Sequence, residues 1–131
     1  MNRSKLSYGL AGALLLVVLA ATSATILRNT QRPVSDRQLR EQLSESDKPA
    51  KARIEAIAQL GARQDLESIP ELLKAMEDPD PYVRGRAGIA VRRILQVDLG
   101  FRAEAEPEDR LEKIGSYREH WQLWKAAHVK K

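Results

Sequence analysis

The sequence predicts an all-α protein: a short helical array, an α-solenoid fragment, closed by a C-terminal capping helix and preceded by one transmembrane helix. Three observations predict it. The 131 residues include one Phe, three Tyr and two Trp, so core volume has to come from Leu, Ile, Val and Ala, which suits packed helices. No run of alternating apolar and polar residues marks a strand. The chain also repeats itself: Asp47 set against Asp78 gives an offset of 31 residues that superposes Ala52-Arg53 on Val83-Arg84, Ala56 on Ala87 and Leu60 on Val91. Such a period arises when each unit buries its apolar face only against its neighbours.

The first element follows a positively charged tail, residues 1–5, that carries Arg3 and Lys5. Leu6 to Leu27 is 22 residues without a charge, which as a helix spans about 33 Å and covers a bilayer core. It reads as a single-pass anchor. The competing reading is a signal peptide, with Leu10 to Ala20 as its apolar region and Ala21-Thr22-Ser23 or Thr22-Ser23-Ala24 as an imperfect small-x-small cleavage site. Basic residues on both flanks (Arg3 and Lys5; Arg28, Arg32, Arg37 and Arg40) do not fix the orientation by count. The short charged tail before the apolar run favours a cytoplasmic N-terminus, with the domain on the non-cytoplasmic side.

Residues 28–46 form a linker and a short helix. Pro33 interrupts, and Ser35-x-x-Gln38 has the form of a capping box that starts a helix from Asp36 to about Ser44, with Leu39 and Leu43 as its one apolar pair. Residues 47–131 form the repeat domain. Between the two copies, Asp65 or Ser68 is expected to cap a helix whose first turn accepts Pro70 and whose apolar stripe is Ile69, Leu72, Leu73 and Met76. In the second copy, Asp78-Pro79-Asp80-Pro81 introduces the helix that runs to Leu95. "QVDLGFRAEAE" then reads as a loop. Pro107 suits a first helical position, Glu108 and Asp109 favour the positive end of the dipole, and Leu111, Ile114, Tyr117, Trp121 and Trp124 recur at steps of three or four.

Asp78-Pro79-Asp80-Pro81-Tyr82-Val83-Arg84, then Ala87 and Ala90-Val91, preceded by Ile69-Pro70-Glu71-Leu72-Leu73, resemble a HEAT-like repeat of the short bacterial type related to phycobilisome lyases. The resemblance covers residues 47 to 95. It implies that Arg53, Arg84 and Asp78 or Asp80 are structural, tying turn to helix and unit to unit. The last helix, with Tyr117-Arg118 and Trp121-x-x-Trp124, is similar to closing segments of bacterial HEAT-repeat proteins.

Several chemistries are excluded or disfavoured. Without Cys there is no disulfide, thiolate site or Cys nucleophile. His120 and His128 are too far apart for a helical ligand pair. Asp78-x-Asp80 lacks the Gly and Glu of a calcium loop, since Val83 and Ile89 stand in those positions. Gly85-x-x-Gly88 lacks a preceding strand and a third glycine, so it is no dinucleotide fingerprint. No cofactor, metal or catalytic residue is expected, and the chain reads as no enzyme. From Arg28 onward there are 20 basic and 18 acidic residues, and Arg84, Arg86, Arg92 and Arg93 are dispersed around their helix. Nucleic acid is therefore not expected as a partner.

The expected function is a membrane-tethered, non-catalytic module that binds a protein partner, with Glu71, Lys74 and Asp78 on a solvent-facing surface and Trp121 and Trp124 as core or contact residues. The alternative is an exported accessory subunit of an enzyme or lyase complex. Adding 31 to Ile54 and Ile57 gives Gly85 and Gly88, so the second copy lacks two large side chains. The expectation is that the last helix crosses this smooth surface, with Trp121 or Trp124 over the glycines; the plainer alternative is close contact between the two repeat helices.

Overall fold

A computed structural model describes residues 33–129. The charged tail, the 6–27 segment and linker residues 28–32 lie outside the described residues, and among those described no helix is long and apolar enough to cross a membrane. Five α-helices and no strand occur in the described residues.

Helix α1 spans Asp36–Ser44. Its capping box forms: the Ser35 hydroxyl accepts from the Gln38 N–H at 3.3 Å, and the Gln38 carboxamide accepts from the Ser35 N–H at 3.0 Å. Leu39 and Leu43 are its buried pair, one turn apart, so one narrow face anchors an otherwise polar helix.

Helix α2 is Ala50–Ala62 and helix α4 is Pro81–Leu95. Their first residues are 31 apart, so the sequence period is the spacing of these two helices. Between them lie a 3-10 turn, Leu66–Ser68, and the short helix α3, Ile69–Ala75. Neither Asp65 nor Ser68 caps α3 through its side chain. The Ser68 hydroxyl instead donates to the Asp65 carbonyl at 2.6 Å, while the Asp65 carboxylate accepts from Arg40 at 2.7 Å. A cation brought by α1 outcompetes the local backbone for this carboxylate. Helix α5, Pro107–His128, starts on Pro107 with Glu108 and Asp109 in its first turn.

The helices stack in two layers. Helix α3 packs on α1 and on α5, and α2 packs on α4, with α1 on α2 and α3 on α4 joining the layers. Ile57, Leu60, Ile69, Leu72, Met76, Val83, Val91, Ile114 and Tyr117 are all but fully buried between them. Each such aliphatic side chain contributes about 1.5–3 kcal/mol of hydrophobic stabilisation.

The surface over the α4 glycines differs from expectation. Helix α5 packs on α3, and neither tryptophan lies over Gly85 or Gly88. The α4–α5 loop does: a Cβ on Gly88 would stand 2.7 Å from Phe101 Cδ1, and one on Gly85 would stand 3.6 Å from Ala103 Cβ. Close contact between the repeat helices occurs at a different glycine, where a Gly61 Cβ would lie 3.0 Å from Ala90 Cβ. The Phe101 ring thus fills the space beside Gly88 and Ala103 lies beside Gly85, and Gln96, in the left-handed region at φ 54, turns the chain into that loop.

Candidate functional site

The charged residues of the Asp-Pro turn form a continuous set of bonds. Arg53 Nη2 lies 3.1 and 3.0 Å from the two oxygens of Asp78, and Nη1 donates to the carbonyls of Lys48 and Ser46. Both side chains of the pair are only 12% exposed. Asp78 Oδ1 also accepts the Asp80 N–H at 2.9 Å, and Asp80 Oδ1 accepts the Tyr82 N–H at 2.8 Å, capping α4. Asp78 therefore joins α2 to the turn, and Asp80 joins the turn to α4.

Arg84 occupies the corresponding place one unit later. Its Nη1 donates to the carbonyls of Asp78 and Pro79 at 2.9 and 3.0 Å, and its Nε and Nη2 donate to the Ala103 carbonyl at 3.1 and 3.0 Å. The planar guanidinium spans all three carbonyls because its donors form a fixed fork. Arg110 adds a second tie, from α5 to the Ala105 carbonyl. A third comes from Tyr117, whose buried hydroxyl accepts the Leu99 N–H at 2.9 Å. Burial pushes the Tyr117 phenol up from its ordinary pKa, partly opposed by that N–H. At the loop's start, Asp98 accepts from the Gly100 N–H and the Arg92 guanidinium, which hold its carboxyl below the usual range.

Two grooves flank α3. The first, about 250 Å³, is lined by Leu43 and Ser44 of α1, Arg53 of α2, and Glu71, Lys74 and Ala75 of α3, with Asp78 and Pro79 at one end. It brings Glu71, Lys74 and Asp78 together, but only Lys74 is exposed. The solvent-facing position expected for the other two is corrected: Asp78 is drawn inward by Arg53, and Glu71 is half-buried with Oε2 shielded and without a hydrogen-bond partner. Arg53 Nε is likewise shielded and unpaired.

The second groove, also about 250 Å³, lies between α3 and α5, lined by Pro70, Leu73, Lys74, Glu77, Arg118, Trp121, Gln122 and Lys125. Trp121 is 7% exposed and its ring stacks on half-buried Trp124 at 5.2 Å, which in turn stacks on His128 at 4.2 Å. Lys125 Nζ stands 5.5 Å from the Trp121 ring centre. Leu111, expected on the same apolar face, is 55% exposed. Its place on the wheel lies beside that face, and it lines a shallow pocket with Met76 and Glu77, just past the end of α3.

Reading the sequence missed Phe101, the Tyr117 bond to Leu99 and the Arg110 tie. The single Phe of the chain, set in a polar loop, was the available signal for the first. Among the described residues no group of three or more His, Asp or Glu is placed to hold a metal ion.

Comparison with known proteins adds one match. A family model of HEAT repeats matches residues 37–105, more than half of the chain, beginning in α1 and ending in the loop that covers α4. No curated protein matches the chain, and no solved structure does.

Proposed function

The chain belongs to the HEAT-repeat family, whose arrays are typically non-catalytic and commonly bind protein partners, and from that premise we propose that it is a membrane-tethered interaction or scaffold module. The observation that carries the reading is the groove beside Glu71 and Lys74. Three successive helices supply an apolar floor and opposing charges within about 250 Å³, a surface suited to an extended segment of another protein. The tether rests on the uncharged stretch 6–27, with the domain on the non-cytoplasmic side. Confinement to one membrane raises its local concentration near other membrane components.

The small-x-small sequences around Thr22 favour a second reading, an exported soluble accessory subunit after signal cleavage. Mass spectrometry of the mature N-terminus separates the two: an intact residue 1–27 segment supports the tether, and a start between Thr22 and Thr25 removes it. Partner binding is tested by a photo-crosslinking residue at Lys74 in cells. A discrete adduct lost in the Glu71→Lys variant is expected; no adduct from any position lining the groove would overturn this contact surface.

A further inference from the structure

The α3–α5 groove and the α4–α5 loop carry opposite charges that the fold does not bring together. In the groove, Lys74, Arg118 and Lys125 surround an apolar floor of Pro70, Leu73 and Trp121. Against these three cations stands one carboxylate, Glu77, 3.8 Å from Arg118. Neither Lys74 nor Lys125 makes an ion pair among the described residues.

At the other end of α5 the loop presents Glu104 and Glu106 and the first turn of the helix presents Glu108 and Asp109, all exposed and none ion-paired among the described residues. Glu108 and Asp109 complement the helix dipole, which leaves Glu104 and Glu106 without a local role. The backbone that carries them is fixed on both sides, by Arg84 on the Ala103 carbonyl and by Arg110 on the Ala105 carbonyl. An acidic turn held in one conformation loses little freedom on binding.

One chain cannot bring its own acidic turn onto the Lys125 end of its groove. Asp109 and Lys125 lie sixteen residues apart on a continuous helix, about 24 Å at 1.5 Å per residue. We propose that the groove takes the acidic turn, Glu104 to Asp109, of a second copy of this chain, forming a two-fold dimer with antiparallel α5 helices. An isologous pair of this kind uses each groove and each turn once, and the antiparallel arrangement sets each helix's acidic N-terminal turn beside the other's basic C-terminal turns.

The test uses the full chain in detergent micelles, followed by sedimentation velocity over a concentration series at low ionic strength and at about 0.5 M salt. The wild type forms a concentration-dependent dimer that weakens with salt. Lys74→Glu with Lys125→Glu, or Glu104→Lys with Glu106→Lys, lowers self-affinity at least tenfold, because each reversed chain meets like charge in its copy. An equimolar mixture of the two reversed chains dimerises again, since every groove then faces a turn of opposite charge. Circular dichroism checks that the helices are retained, and Lys74→Gln with Lys125→Gln gives an intermediate loss if a reversed chain folds poorly. A monomeric wild type, a dimer that survives either reversal, or a mixture that stays monomeric would overturn the proposal. The hetero-partner reading above is separate, because crosslinking at the first groove decides it without reference to self-association.

Discussion

Arg53 and Arg84 stand at the same place in successive 31-residue units, and the difference between them shows how the array continues and how it ends. Both guanidinium groups bond carbonyls of the turn before their own helix: Arg53 to Lys48, and Arg84 to Pro79, its counterpart one unit later. Outward they diverge. Arg53 meets the carboxylate of Asp78 in the next unit, whereas Arg84 meets the backbone of the closing loop at Ala103. An internal unit passes its arginine to the following repeat; a terminal one uses it to hold a lid. The glycines mark the same divergence, with Gly61 admitting a neighbouring helix and Gly88 a loop side chain.

The largest expected effect breaks the internal joint. Asp78→Ala removes two hydrogen bonds and leaves the largely buried Arg53 guanidinium without its carboxylate, which costs about 3 kcal/mol. Arg84→Met at the terminal joint costs about 1.5 kcal/mol, because its lost acceptors are neutral carbonyls, one of them at the exposed rim. The two are compared by urea unfolding, with hydrogen exchange as a second measure. Exchange rises throughout the domain for Asp78→Ala and mainly across residues 98–105 for Arg84→Met. Equal effects with identical exchange patterns would show that the joints are not different in kind.

The second comparison is between a glycine that is covered and its cover. Gly88→Leu overpacks the Phe101 ring and destabilises by about 2 kcal/mol, despite the gain in helix propensity. Gly88→Ala is unfavourable alone, since its Cβ meets Phe101 at 2.7 Å. In a Phe101→Ala background the same change becomes stabilising by up to about 1 kcal/mol. A double-mutant cycle measured by thermal unfolding gives this coupling directly; additive effects would mean that loop and helix do not meet.

Parts of this arrangement were legible in the sequence because their causes are local or periodic. Ser35 and Gln38 cap α1 through neighbours three residues apart, and the 31-residue offset fixes the starts of α2 and α4 because equivalent residues meet equivalent surroundings. The α4 glycines announced a surface shaped for close approach. What covers them was not legible, because Phe101 sits alone between Gly100 and Arg102 with no periodicity to give its direction. Asp65 was misread for a related reason: its chemistry suits a cap, and only the fold reveals Arg40, 25 residues away, as the competitor. The two grooves were hidden likewise, each assembled from residues on separate helices.

A smaller effect concerns how the lid is fastened to α5. Tyr117→Phe leaves the Leu99 N–H without its acceptor and costs about 1 kcal/mol. It also changes the response to alkali. Burial raises the folded-state pKa of the phenol above that of the unfolded chain, so its contribution is fully present below about pH 10 and is lost as pH rises through the folded value. Above about pH 10 the melting temperature of the wild type should fall more steeply than that of Tyr117→Phe. Parallel curves would place the alkaline sensitivity elsewhere.

The smallest effect runs in the opposite direction and comes from a glycine with no cover at all. Gly115 lies in the interior of α5, and a Cβ there meets nothing within 4 Å. Gly115→Ala therefore keeps every contact of the domain while removing the conformational cost of glycine in a helix, stabilising by about 0.5–1 kcal/mol. Alanine at Gly88 and alanine at Gly115 make the same chemical change in the same secondary structure with opposite sign, and the Phe101 ring is the difference between them. A loss of stability for Gly115→Ala in dilute monomer would show that the space beside Gly115 is not open.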